Sequence, residues 1–379
     1  ARGLGAFSLD NLQFKEFALD TAEQVLAYLK SDEPWKKTQP QAGWLQRKIN
    51  LLSPTPDHQN IPGVTGGWVE IRGTLQAEGP LLTNDALVSG MTGFDHAPLL
   101  AQVGDWQHPV LTGAGLRGVL RSHAERIART IASYNATGKD DFLLKCPACD
   151  PNARTTQKDK HLVLESCDSL LRKSGAADDT NDHLCLACRL FGSTRRGSRL
   201  IVEDAPYAGE QPPKLKMLDF LAIDRFTGGG KDGAKFDALA LWKPAFELRI
   251  YLENPEEWEL GWLALVLRDL EEGWLSVGFG AAKGFGQVKL QDWRATFGYL
   301  TPEDLPAGLD EPDTPGESGI FKTVQFQGGT EEWRAVAEEW VKKFDKQARE
   351  FKRKELPALR QDSYFGKVDT LYPVLKGGA

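Results

Sequence analysis

Two Cys-x-x-Cys pairs, Cys146-Pro-Ala-Cys149 and Cys185-Leu-Ala-Cys188, stand 35 residues apart. Each pair sets two thiols at knuckle spacing, and two knuckles supply the four thiolates of a tetrahedral Zn2+ site. Such a site forces distant segments together whatever the rest of the chain does. The stretch between them is longer than the spacer of a short zinc ribbon and must bulge outward. A closed four-thiolate site keeps no open coordination position, so the expected zinc is structural. Redox pairs and unligated thiols are the alternatives. Cys167 is left over, and His161 and His183 are the side chains that could replace a thiolate.

At 379 residues, 41% hydrophobic and with 11 tryptophans, the chain has material for two ordinary domains or one with large insertions. No apolar run reaches the roughly 18 residues a membrane span needs, so no membrane partner is expected. No signal-peptide pattern opens the sequence, which makes the cytoplasm the expected compartment and disfavours disulfides. The net charge of −7 weighs mildly against a nucleic-acid binder. Local fields matter more than the total, and Arg189–Arg199 holds four arginines and no acid.

Along the chain, Ala22–Leu29 reads as a helix and residues 36–66 as loop. Trp68–Ala77 alternates as a strand. Glu78–Val110 has little periodicity and three aspartates, Asp85, Asp95 and Asp105, and reads as a long loop of the kind that is functional or disordered. Leu116–Ile131 is helical, residues 134–198 form the cysteine-bearing insertion, and Arg199–Glu203 and Lys243–Leu252 read as strands. Leu221–Asp237 is a glycine-broken hairpin, and Glu256–Leu270 is a helix. This order predicts an α+β protein with a split βαβ, ferredoxin-like core over residues 67–300. Residues 301–319 read as an acidic Pro/Gly linker. Residues 320–379 read as a helical extension, in which Trp333, Val336, Trp340, Phe344, Ala348 and Phe351 form a stripe that packs on the body or on a partner.

Ala1-Arg-Gly-Leu-Gly-Ala-Phe-Ser-Leu9 repeats the pattern of Ala282-Lys-Gly-Phe-Gly-Gln-Val-Lys-Leu290. Residues 1–12 are therefore expected to close a preceding, similar domain, with 13–66 as a linker carrying a short helix. The second copy belongs to a loop with four glycines in nine positions, Gly278, Gly280, Gly284 and Gly286, around Lys283. Bare backbone beside a lysine suits an anionic chain. A second glycine turn, Thr112-Gly-Ala-Gly-Leu-Arg117, opens a helix whose first amides and positive end suit a phosphate. Gly113, Gly115, Arg117, Arg121, Lys283, Gly284 and Gly286 are the phosphate contacts this predicts.

Four segments in order carry a resemblance. They are Pro109–Gly118, then Leu190-Phe-Gly-Ser193 with Arg199–Ala205, then Ile223-Asp-Arg225, and the glycine loop 278–286. The chain resembles the RAMP superfamily, specifically the guide-RNA backbone subunit of type III CRISPR effector complexes. The resemblance implies an RRM-like fold, with crRNA, target single-stranded RNA and the other effector subunits as partners. It implies that Leu221–Asp237 is a thumb hairpin that displaces a nucleotide, with Arg225 and Lys231 on phosphates. It also implies an RNA-guided endoribonuclease that uses an aspartate after the first strand, with Mg2+ or Mn2+. Asp95, in Gly93-Phe-Asp-His-Ala-Pro98, fits that position with one residue inserted before the proline. His96 could serve as a base or be a plain surface residue, and Asp85 reads as a turn residue. The alternatives are a catalytically silent scaffold of the same fold and a relative that processes guide precursors.

Overall fold

The computed structural model describes residues 19, 21–31, 66–103, 106–151, 164–174, 183–194 and 196–352. The expectations for residues 1–12, for most of 13–66, for Asp105, for His161 and for residues beyond 352 lie outside these. Helix α1 (Ala22–Leu29) opens with a capping box between Thr21 and Gln24. Strands β1 (Trp68–Ala77) and β2 (Pro80–Leu81) precede helix α2 (Ala86–Thr92) and the hairpin of β3 (Leu100–Val103) and β4 (Trp106–Leu111). The long helix α3 (Gly113–Asn135) leads to three short ones, α4 (Lys139–Lys145), α5 (Cys167–Ser174) and α6 (Leu186–Phe191). Next come β5 (Leu200–Val202), β6 (Ala205–Pro206), the hairpin β7 (Leu215–Ile223) and β8 (Gly230–Trp242), and β9 (Ala245–Glu253). Helix α7 (Glu257–Glu271), β10 (Val288–Tyr299), β11 (Gly316–Ser318), β12 (Phe321–Gln327) and α8 (Glu331–Glu350) follow.

The main sheet is antiparallel, in the order β11-β12-β10-β1-β9-β5. Within it β1, α3, β5, β9, α7 and β10 follow one another in the chain, and their strands lie side by side as β10-β1-β9-β5. Val69, Ile71 and Leu75 alternate along β1 onto the buried face. Strand β10 keeps its own buried set on that face through a bulge opposite Gly73, where the register shifts between Arg72 and Thr74. Asp292 takes a left-handed φ of 47° there, and the extra residue changes the parity, so that Leu290 and Trp293 both point inward. Gly73 is required at this point, because a Cβ would lie 2.4 Å from that of Trp293.

Helix α7 lays Trp262, Val266, Leu267 and Leu270 on the sheet. The Trp262 indole N–H donates to the Ala124 carbonyl of α3 at 3.0 Å, and its ring stacks on Phe344 of α8 at 4.9 Å. Gly261 lets α8 come close, since a Cβ there would meet the Trp340 carbonyl oxygen at 2.0 Å. The apolar stripe of α8 therefore packs on the body of the molecule.

Two readings are corrected. Residues 78–110 are not structureless: they hold β2, α2 and the β3–β4 hairpin, elements too short to show a period. Residues 301–327 do not simply link: β11 and β12 extend the main sheet beside β10, so the stretch after 319 starts as a strand and becomes helical only at Glu331.

Candidate functional site

The insertion brings four thiols together, and one differs from the expected set. The Sγ atoms of Cys149, Cys167, Cys185 and Cys188 all lie within 4.8 Å of one another, and all four residues are buried. Cys146 falls outside this group: it caps the end of α4, and its thiol donates to the Ala148 carbonyl at 3.2 Å. Cys167, at the start of α5, stands where Cys146 was expected. The donor set fits zinc, because a tetrahedral site with Zn–S near 2.3 Å needs sulfurs roughly 3.8 Å apart. Cys149 and Cys188 lie 3.6 Å apart. Backbone amides of Cys149 and Cys185 donate to the sulfurs of Cys185 and Cys167, at 3.4 and 3.3 Å. The bond with Cys167, followed by Cys185 and Cys188, pushes the Cys149 thiol well above its ordinary pKa, while the same bond holds Cys167 down. Four thiols packed this tightly cannot all ionise without a cation among them.

Arg121 belongs to this centre rather than to an outward phosphate clamp. Its Nε pairs with Glu125 at 2.7 Å, one Nη donates to the Gly192 carbonyl at 2.9 Å, and the other reaches Cys188 Sγ at 3.5 Å. Arg117, one turn earlier, is half-buried with no hydrogen-bond partner among the described residues. Burial, and then the neighbouring charge of Arg121, lower its pKa.

The amides proposed to cradle phosphate are already engaged. Gly113 N–H donates to Asp204 Oδ1 at 2.7 Å, and Gly115 N–H to the capping Thr112 hydroxyl at 3.2 Å. Gly284 N–H donates to the Ala281 carbonyl at 3.2 Å, and Gly286 N–H to that of Pro80 at 2.8 Å. Close approach explains two of these glycines. A Cβ on Gly113 would lie 2.1 Å from the Val202 carbonyl oxygen, and one on Gly286 1.9 Å from that of Val277. These four amides are therefore not open to an anion.

Three separate segments converge midway along the β7–β8 hairpin. Lys283 of the glycine loop sets its ammonium 4.2 Å from the Phe236 ring and 5.2 Å from that of Phe279. The His96 ring packs against the same two rings, at 5.7 and 4.4 Å, and its Nδ1 lies 3.2 Å from Asn84 Oδ1. Next to it, the Asp95 N–H donates to Asp237 Oδ1 at 2.8 Å, and Asp95 Oδ2 accepts the Asp237 N–H at 2.9 Å. Asp95 is exposed, and its Oδ1 has no protein partner among the described residues. Asp85 is the N-cap of α2, accepting from Leu87 and Val88. Asp237 and Phe236 were not legible beforehand, since nothing in β8 announces which loop crosses it.

At the far end of the hairpin, Asp224 folds the tip by accepting from the amides of Phe226 and Thr227, at 2.8 and 3.2 Å. Arg225 and Lys231 are exposed there, and Phe226 is fully exposed. An exposed apolar ring flanked by two cations suits a nucleic-acid strand better than bulk water.

The family model described as RAMP superfamily matches residues 74–289, more than half of the chain. The chain belongs to the RAMP superfamily. The matched span runs from within β1 to within β10 and includes the thiol centre, the hairpin and the glycine loop. Membership ties the chain to CRISPR-associated RNA binding. Among curated proteins, none matches it. No helix among the described residues is long and apolar enough to cross a membrane.

Proposed function

We propose that this RAMP-superfamily chain is a crRNA-binding backbone subunit of a type III CRISPR ribonucleoprotein, and that it cleaves guide-paired target RNA. In this reading β1, α3, β5, β9, α7 and β10 form an RRM-like core and β7–β8 is the thumb. Arg117, Lys283, Arg225 and Lys231 meet phosphates, and the thiol centre is a structural zinc site. The observation that carries the catalytic part is the exposed Asp95 carboxylate, one of whose oxygens has no partner among the described residues, midway along the hairpin where the neighbouring His96 and Lys283 both pack on Phe236.

A nucleotide displaced by the hairpin would present its 2′-hydroxyl in line with the adjacent phosphate. The 2′-oxygen attacks phosphorus and the P–O5′ bond breaks, leaving a 2′,3′-cyclic phosphate, and the departing 5′-oxygen takes a proton from water to become a 5′-hydroxyl. Asp95 Oδ1 would orient the hydroxyl and accept its proton. Mg2+ or Mn2+, when bound at the Asp95 carboxylate, would neutralise phosphate charge.

The second reading is a silent scaffold, favoured by the pairing of Asp95 with Asp237, which gives the aspartate a purely structural use. Cleavage of end-labelled complementary RNA by the reconstituted complex separates the two. Asp95→Asn keeps an oxygen to accept the Asp237 amide and removes the charge. If one cut of the series is lost in both Asp95→Asn and Asp95→Ala while crRNA is retained, the catalytic reading holds. Undiminished cutting by Asp95→Asn leaves the scaffold.

A further inference from the structure

We propose that the cavity between α3 and the segment before the glycine loop takes one nucleotide of single-stranded RNA, its base on Trp274 and its phosphate on Arg126. This rests on the RNA-binding reading and adds a site to it.

The cavity measures about 750 Å3, a volume within the range of small-ligand sites and ample for a nucleotide. One wall is the face of α3 formed by Gly115, Gly118, Ser122 and Arg126, and the other carries Trp274 and Ser276. The cationic side chains lining it are Arg126 and Arg129, and no carboxylate lines it. Arg129 is paired with Glu125, so Arg126 is the cation placed to meet an anion.

Trp274 is 67% exposed, an unusual place for so large an apolar ring in a chain with a well-filled core. Its orientation is nonetheless fixed: the indole N–H donates to Glu272 Oε2 at 2.7 Å, and its backbone N–H to the Asp269 carbonyl at 2.9 Å. A ring held rigid at the rim of a cavity is a stacking platform for a base.

Arg126 is fixed as well. It donates to His123 Nδ1 at 2.6 Å, and His123 Nε2 lies 2.7 Å from Asp269 Oδ2. A guanidinium only donates, so Nδ1 must present its lone pair and the ring proton sits on Nε2, bonded to Asp269. The chain Asp269–His123–Arg126 thus uses one corner of the guanidinium and leaves its other donors for a phosphate. The helix wall is bare at Gly118, where a Cβ would meet nothing within 4 Å. A long side chain at 118 would project into that open space while improving helix propensity over glycine.

The test is photo-crosslinking of 5-iodouridine single-stranded RNA to the intact chain, with titration of the same RNA against four variants. Tryptic peptide Asp269–Lys283 contains Trp274 as its sole tryptophan, and fragment sequencing separates it from Phe279 in the glycine loop. The crosslink is expected at Trp274. Trp274→Ala and Gly118→Leu should weaken binding by roughly 5- to 100-fold, and Trp274→Phe by no more than about threefold. Arg126→Ala should weaken binding and lower the salt-dependence slope by about 0.7. If the wild-type chain binds RNA, but Trp274 is not crosslinked and Trp274→Ala and Gly118→Leu bind as wild type, the subsite is wrong while RNA binding stands. If the wild-type chain binds no RNA, both readings fall together.

Discussion

Asp95 and Asp237, 142 residues apart in sequence, each accept the other's backbone amide, at 2.9 and 2.8 Å. The exchange ties the turn after α2 to the middle of β8, and the neighbouring Leu239 N–H adds a bond of 2.9 Å to the His96 carbonyl. Loop and hairpin therefore move as one body. A charge-assisted bond of this kind contributes about 1–2 kcal/mol at an exposed site. Asp237→Ala should accordingly raise the hydrogen-exchange rate of the Asp95 amide by roughly 5- to 30-fold, with global stability barely changed. Unaltered protection at Asp95 would show that the pair does not couple the two segments.

The thiol centre makes opposite predictions for two cysteines. Cys167→Ser should abolish stoichiometric zinc, read by elemental analysis of the purified chain, and lower the melting temperature. Cys146→Ser should retain one zinc per chain. Removing zinc from the wild type with a chelator should destabilise it, because the binding free energy of a structural zinc is part of the folding free energy. Loss of zinc in Cys146→Ser with retention in Cys167→Ser would restore the paired-knuckle ligand set.

Much of this was legible in the sequence, for reasons that differ by element. Ala22–Leu29, Trp68–Ala77 and the long helices announce themselves through caps and periodicity, and their observed bounds differ by a few residues at most. The β3–β4 hairpin and β2 do not, because strands of two to six residues carry no readable period. The cysteine pairs gave the right neighbourhood, but Cys167 could not be ranked against Cys146 without knowing that α5 folds back over the pair. For Gly113 and Gly286 the sequence signal was real and its cause different: each lets two backbones touch, and its amide bonds protein.

Arg117 and Arg121 lie one turn apart on α3 and should respond differently to removal. Arg121 is mostly buried, which opposes its charge, and its bond to Glu125 holds it charged. Arg121→Ala strands the buried Glu125 with only Arg129 and should cost about 3 kcal/mol of stability by urea denaturation. Arg117 has no comparable partner, so Arg117→Ala should change stability by less than about 1 kcal/mol. Its effect belongs in RNA affinity, with a salt slope lower by about 0.7. Equal stability losses in both variants would mean that Arg117 is also structural.

Glu259 ties stability to pH. It sits at the third position of α7, fully buried, where Oε2 accepts the Glu256 amide at 2.9 Å and Oε1 contacts Arg199. Burial raises its pKa from 4.5 to about 7, outweighing the attraction of Arg199. Between those values the folded state binds a proton that the unfolded state has released. Stability must then fall as pH rises through the window from about 4.5 to about 7, by an amount on the order of 3 kcal/mol. Glu259→Gln keeps an acceptor for the Glu256 amide and carries no titrating group. Urea unfolding at pH 5 and pH 8 should therefore show a steeper decline for the wild type than for Glu259→Gln, with the variant nearer to or above the wild type at pH 8. Parallel declines would mean that Arg199 overcomes burial and that Glu259 is already ionised at pH 5.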